Sequence, residues 1–73
     1  MLSDNERKTL RVLYNVLTKR SRTPSVRELS VKTGRNRADV LRALGGLARE
    51  RYIEWTPARP DLIEVLEGWE RRE

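Results

Sequence analysis

Three helix-start signals in the first 39 residues constrain this chain more than any other feature. The stretches Ser3–Glu6 and Ser25–Glu28 both have the capping-box pattern, in which two side chains bind backbone N–H groups at a helix start. Asn36 is a good N-cap for a third helix, and Asp39 adds an acid at the positive end of its dipole. The 73-residue chain is therefore predicted to be one small domain that begins with three helices.

The first predicted helix carries an apolar stripe at helical spacing. Its inward residues are Leu10, Leu13, Tyr14 and Leu17, and its outward residues are Lys8, Arg11, Asn15 and Lys19. We expect this helix to end near Arg20, because Pro24 disfavours a helical conformation for the residue before it.

The second and third predicted helices are separated by a tight turn. The second runs from Val26 to Thr33, because Gly34 supplies a left-handed residue that ends a helix at little cost. Its inward residues are Val26, Leu29 and Val31. Only Arg35 lies between Gly34 and Asn36, so the third helix follows almost at once.

The third predicted helix has an apolar side and a polar side. Its inward residues are Val40, Leu44 and Leu47, and its outward residues are Arg37, Ala38, Asp39 and Arg42. The Gly45–Gly46 pair costs about 1 kcal/mol per residue relative to Ala in a helix interior. We expect that the helix simply tolerates the two glycines. A close contact with another segment at that point is the less favoured interpretation.

Two short runs rich in β-branched and aromatic residues follow, Tyr52–Trp55 and Leu62–Leu66. Residues 56–61 between them contain two prolines and predict a hairpin with a stiff tip. The predicted fold class is mostly α with a small β-hairpin, a three-helix winged helix-turn-helix over residues 1–66. Residues 67–73 are predicted to be a charged tail.

The positive charge is concentrated in the part of the chain that is predicted to be helical. The net charge is +5, but residues 7–51 carry thirteen Lys or Arg against three acids, while residues 52–73 sum to −3. A basic helical region on an otherwise acidic chain suggests a face that binds a polyanion, and a solvated Arg-rich surface is the alternative.

Two helices joined by a tight turn, followed by a hairpin, are typical of proteins that read the DNA major groove, which admits one helix. The candidate base contacts are Asn36, Arg37, Ala38, Asp39 and Arg42. The candidate contacts to the DNA backbone are Arg22, Ser25, Arg27 and Arg35, and Arg59 is the candidate residue of the wing.

Several of these residues have a second interpretation. Asn36 and Ser25 serve equally well as helix N-caps, and Asp39 could support the cap, pair with Arg35 or Arg42, or accept from cytosine. The arginines could be ordinary solvated charges. The acids near Arg59 would repel phosphates, so the sequence leaves a minor-groove role for Arg59 open.

Several stretches resemble a known family. They are Thr23–Leu29, the leucines of the third helix, Tyr52–Glu54 and Ile63–Leu66. In this order they look like the N-terminal DNA-binding domain of the LexA repressors, over about residues 7–66. The resemblance implies a winged helix and a repressor. The linker before Val40 looks one residue shorter than in that family, and an Arg-rich stretch replaces its base-reading residues. The resemblance does not extend to the family's C-terminal self-cleaving domain.

The favoured function is sequence-specific binding of double-stranded DNA by a cytoplasmic, nucleoid-associated repressor that occludes its operator. The alternative is a winged-helix module for protein–protein interaction, since a fold does not fix a function. A chain with no Cys and no His has no thiol nucleophile, imidazole base or zinc-finger ligand set, and we expect no enzyme activity, metal or cofactor. The lack of a long uncharged apolar run argues against a membrane span.

Trp69 stands alone in the charged tail. It could pack on the first helix, form a contact in a homodimer on a two-half-site operator, or lie in a frayed terminus.

Overall fold

The structure, a computed structural model, describes residues 2–68. Helix α1 is Asp4–Arg20, α2 is Val26–Thr33 and α3 is Arg37–Arg49. Strands β1 (Ile53–Glu54) and β2 (Glu64–Val65) pair antiparallel, with Ile53 opposite Val65 and Glu54 opposite Glu64. The predicted class, mostly helical with a small hairpin in a winged-helix-like arrangement, is confirmed.

The helix ends follow from the capping residues that the sequence contains. Ser3 Oγ accepts from the N–H of Glu6, whose carboxylate accepts from the N–H of Ser3, so the first capping box is complete. Ser25 also caps its helix, but Glu28 pairs with Arg22 instead of completing the box. The second capping box is therefore only half formed.

The core lies where α1 packs on α2 and α3 and the hairpin closes the end. The largest side chains with almost no exposed surface include Leu13, Leu29, Leu44, Leu47 and Ile53. The apolar stripe of α1 is turned slightly from the predicted one. Thr9 and Val16 are buried, while Tyr14 and Leu17 are only half-buried.

The prediction that Val31 faces inward is wrong, because its side chain is 76% exposed. The buried residues of α2 are Val26, Leu29 and Thr33. At 100° per residue, position 31 lies almost opposite the centre of that buried side. The apolar character of Val31 suggested burial, whereas the helical spacing of its neighbours gives the observed orientation.

One residue of the glycine pair in α3, Gly46, lies in close contact with α1. A Cβ on Gly46 would overlap the carboxylate of Glu6, whereas a Cβ on Gly45 would only touch the Trp55 ring at 3.9 Å. Gly46 therefore lets the first turn of α1 lie directly against α3, contrary to the prediction of plain tolerance.

The strands are shorter than predicted, two residues each. Pro57 and Pro60 have no N–H to donate to a strand ladder, so pairing stops before the tip. The loop is closed instead by Trp55, whose Nε1–H donates to the carbonyl of Pro60 at 2.9 Å. At the other end, the N–H groups of Leu66 and Glu67 both donate to the Tyr52 carbonyl.

Candidate nucleic-acid interface

The turn between α2 and α3 is held by side-chain hydrogen bonds. Ser30 Oγ donates to the Arg35 carbonyl at 2.5 Å, and Thr33 Oγ1 donates to the Leu29 carbonyl at 2.7 Å. Gly34 has the left-handed conformation that the sequence predicted, with φ of +72°. These constraints fix the angle at which α3 leaves the turn.

The N-terminus of α3 is held by interactions among its cap residue and its first turns. Asn36 Oδ1 accepts from the Asp39 N–H at 2.8 Å, so the capping role considered for Asn36 is the one observed. Asp39 forms an ion pair with Arg42 at 2.9 Å rather than with Arg35. Arg37 and Ala38 are exposed beside this cap.

Helix α1 supports that N-terminus from behind. Asn5 Nδ2 donates to the carbonyl of Asp39 at 3.0 Å, across 34 residues of sequence. Sequence reasoning did not identify Asn5, because a single polar residue in the first turn of a helix gives no sign of a distant partner. Within residues 2–68, Asn5 Oδ1 and Arg35 Nε are buried without a hydrogen-bond partner.

The outward side of α3 carries one small exposed residue, Ala38, and two arginines. Gly45 lies two turns after Ala38 on this side but is half-buried beside the Trp55 ring, and Arg42 and Arg49 lie next to these two positions. Arg42 and Arg49 are exposed. Arg49 was missed by sequence reasoning, although the spacing of 38, 42, 45 and 49 places all four positions on one side of a helix.

The N-terminus of α2 is already occupied by an anion from the same chain. The N–H of Val26 donates to Asp61 Oδ1 at 2.9 Å, and Ser25 Oγ accepts from the Glu28 N–H. A carboxylate at this position satisfies a free N–H and the helix dipole. The predicted phosphate contact through this helix N-terminus would have to compete with Asp61, while Arg27 nearby is exposed.

Arg22, a candidate backbone contact, is paired inside the chain. Its guanidinium donates to both oxygens of Glu28, at 2.9 and 3.2 Å. This hydrogen-bonded pair lowers the pKa of Glu28 and raises that of Arg22. Half of the Arg22 side chain remains exposed, so it retains a face toward solvent.

The hairpin tip presents Arg59, the candidate wing residue, to solvent. Below the tip, Glu54 and Glu64 face each other on the outer side of the two strands. These acids oppose an approach of DNA phosphates to that side. Trp69 lies outside the described residues.

Comparison of the sequence with protein-family models and with curated proteins gives no match. In the part of the chain that the structure describes, no helix is long and apolar enough to cross a membrane. Nor do residues 2–68 contain a group of three carboxylate, imidazole or thiol side chains that could hold a metal ion.

Proposed function

We propose that this chain binds double-stranded DNA sequence-specifically, with α3 in the major groove, and represses transcription by covering its operator. The observation that carries the proposal is the outward face of α3. Arg37, Ala38 and Arg42 are exposed in the first half of that face and Arg49 at its end, while Gly45 is half-buried beside the Trp55 ring. A groove about 12 Å wide admits one helix, and the short Ala38 side chain lets the N-terminal half of α3 approach the base edges.

Arg37 and Arg42 are the proposed base readers. A guanidinium can donate two parallel hydrogen bonds to guanine, and the Asp39 carboxylate already restricts the orientation of Arg42. Ala38 suits contact with a thymine methyl group. Because Asn36 Oδ1 is bound in the helix cap, Asn36 contributes through Nδ2 alone.

The remaining proposed contacts are to phosphates and set register rather than sequence. Arg35 lies in the turn before α3, Arg27 and the exposed side of Arg22 lie at the N-terminus of α2, and Arg49 adds a cation in the last turn of α3. Ser25 is retained as a helix cap rather than a phosphate ligand, because Asp61 already holds the adjacent N–H. A chain of this activity would act in the cytoplasm at the nucleoid.

The test begins by selecting bound sequences from a random duplex pool and then measures affinity for the best site and for random DNA. Arg42→Ala should cost about 1–3 kcal/mol on the best site and less on random duplex. Arg42→Lys keeps the charge but not the two-bond geometry, so it should lose base preference while the salt dependence stays. Lys19→Ala is the matched control, because it removes one positive charge from α1.

Removing one phosphate-binding side chain should reduce the salt slope by about 0.9. Binding that is absent at low salt, or insensitive to salt, would contradict DNA binding and favour the protein-interaction alternative. If Arg42→Ala and Lys19→Ala weaken binding to the best site and to random DNA equally, α3 is not the helix that contacts the bases.

A further inference from the structure

A basic cleft between α1 and α2 takes no part in the proposed DNA contacts. It has a volume of about 310 Å³. Its lining residues are Val12, Asn15, Val16, Lys19, Arg20 and Lys32. Val12, which packs against the core, and the buried Val16 form an apolar floor, and the three cations are exposed at the rim. None of these cations forms an ion pair with another residue in 2–68.

The positive surface continues along the same side of α1. A second shallow cleft shares Val12 and Asn15 with the first and adds Lys8 and Arg11. The one carboxylate on its lining is Asp4, which is paired with Arg7 at 2.9 Å. One side of α1 is therefore basic over most of its length.

The outer face of the hairpin has the opposite charge and is partly apolar. We define this hairpin outer face by Glu54, Leu62, Glu64 and Leu66, which are exposed, whereas Ile53 and Ile63 are buried and Val65 is half-buried. Leu62 is 65% and Leu66 45% exposed, and they are two of the three large apolar side chains that residues 2–68 expose. Glu54 and Glu64 are directly opposite each other, which is destabilising for like charges.

The two surfaces lie on different sides of one molecule. After β2 the backbone at Gly68 lies directly against the ring of Tyr14. Positions 12 and 14 are about 200° apart around a helix axis, so Tyr14 and the cleft residue Val12 are on opposite flanks of α1. The chain after the hairpin is therefore held on the Tyr14 flank, and Asp61 holds the hairpin loop at the N-terminus of α2, whereas the cleft includes Lys32 in the last turn of α2. The hairpin does not reach its own basic cleft.

We infer that the occupant of the basic cleft is the hairpin outer face of a second copy of this chain. The cations at the rim would lie against Glu54 and Glu64 and relieve their repulsion, while Leu62 or Leu66 would cover the valine floor. This contact joins two different surfaces, so it repeats from copy to copy in a head-to-tail arrangement. It uses no residue of α3.

The association is tested without DNA, so its failure is separate from a failure of the proposed function. Sedimentation velocity of the full chain over a concentration series should give an average mass that rises above one chain at low salt. It should return to one chain at about 1 M salt, where the screening length falls to about 3 Å.

Charge reversal on each surface makes the test specific. Lys19→Glu with Lys32→Glu, and separately Glu54→Lys with Glu64→Lys, should each give a monomer, and an equimolar mixture of the two variants should associate again. Circular dichroism confirms that each variant is folded. Trp69→Ala tests the alternative that the tail carries the contact, and it should associate like wild type.

Three outcomes would overturn the inference. They are a monomeric wild type at every concentration and salt, reversed variants that fail to recombine, and loss of association in Trp69→Ala alone. The last outcome would assign the association to the tail.

Discussion

The hydrogen bond from Val26 to Asp61 gives a sharp test of how the hairpin is attached to the helices. Asp61 Oδ1 accepts from the Val26 N–H at 2.9 Å at the N-terminus of α2, in a partly buried position. Two effects add there. The hydrogen bond satisfies a helix N–H that has no partner within the helix, and the negative charge interacts favourably with the helix dipole.

Two substitutions separate these effects. Asp61→Asn keeps an oxygen acceptor and loses the charge, so we expect a loss of about 0.3–1 kcal/mol from the dipole interaction. Asp61→Ala loses both, and we expect about 1–2 kcal/mol because a hydrogen bond to a charged group also disappears. For a domain of this size, 1 kcal/mol lowers the melting temperature by roughly 4–8 °C.

Thermal unfolding followed by circular dichroism measures both variants at low and high salt. The deficit of Asp61→Asn should shrink as salt rises, because it is electrostatic. Glu64→Ala is the comparison, since it removes a hairpin carboxylate that faces Glu54 rather than a helix end, and it should not lower the melting temperature. If Asp61→Ala melts with wild type, the hairpin is not anchored through α2.

Three further changes test other parts of the fold. Arg51 has a left-handed φ of 65°, so Arg51→Gly should raise the free energy of unfolding by about 1 kcal/mol and Arg51→Ala should not. Gly45→Ala should stabilise α3 by up to about 1 kcal/mol. Gly46→Ala should not, because its Cβ displaces the carboxylate of the α1 capping box; denaturant unfolding decides both cases. Finally, the hydrogen bond and ion pair with Arg22 lower the pKa of Glu28, so the pair stabilises the fold at neutral pH and this contribution is lost in acid as pH falls through the lowered pKa. Wild type should therefore lose more stability than Glu28→Gln in acid melts.

The helices could be predicted from the sequence because their limits depend on local chemistry. Ser3, Ser25, Asn36 and Gly34 act within a few residues of the chain, so their types and spacing are sufficient. Features that join distant segments could not be predicted in this way. The close approach of Gly46 to Glu6 and the bond from Asn5 to Asp39 form only when α1 crosses α3.

In the candidate site too, the features that depend on local sequence could be predicted, and those that depend on contacts between distant segments could not. The outward position of Arg37 and Arg42 follows from helical periodicity, and Arg37 is exposed, as is most of the Arg42 side chain. The pairing of Arg22 with Glu28 and the carboxylate at the N-terminus of α2 depend on side-chain and hairpin placement. Those two interactions reduce the number of free donors that residues 21–25, between α1 and α2, and the N-terminus of α2 can offer to a phosphate. Whether DNA is bound there stays a prediction.

The two proposals together make a prediction about the arrangement of binding sites. A two-fold symmetric dimer places its reading helices on inverted repeats, because operator symmetry mirrors protein symmetry. A head-to-tail contact between the basic cleft and the hairpin outer face relates neighbours by the same step each time. Neighbouring copies on DNA would then read direct repeats, with each bound copy raising the effective concentration of the next. Affinity measured on one site, two direct sites and two inverted sites distinguishes these cases. Cooperativity confined to inverted sites would rule out the head-to-tail contact on DNA even if the chain binds each single site well.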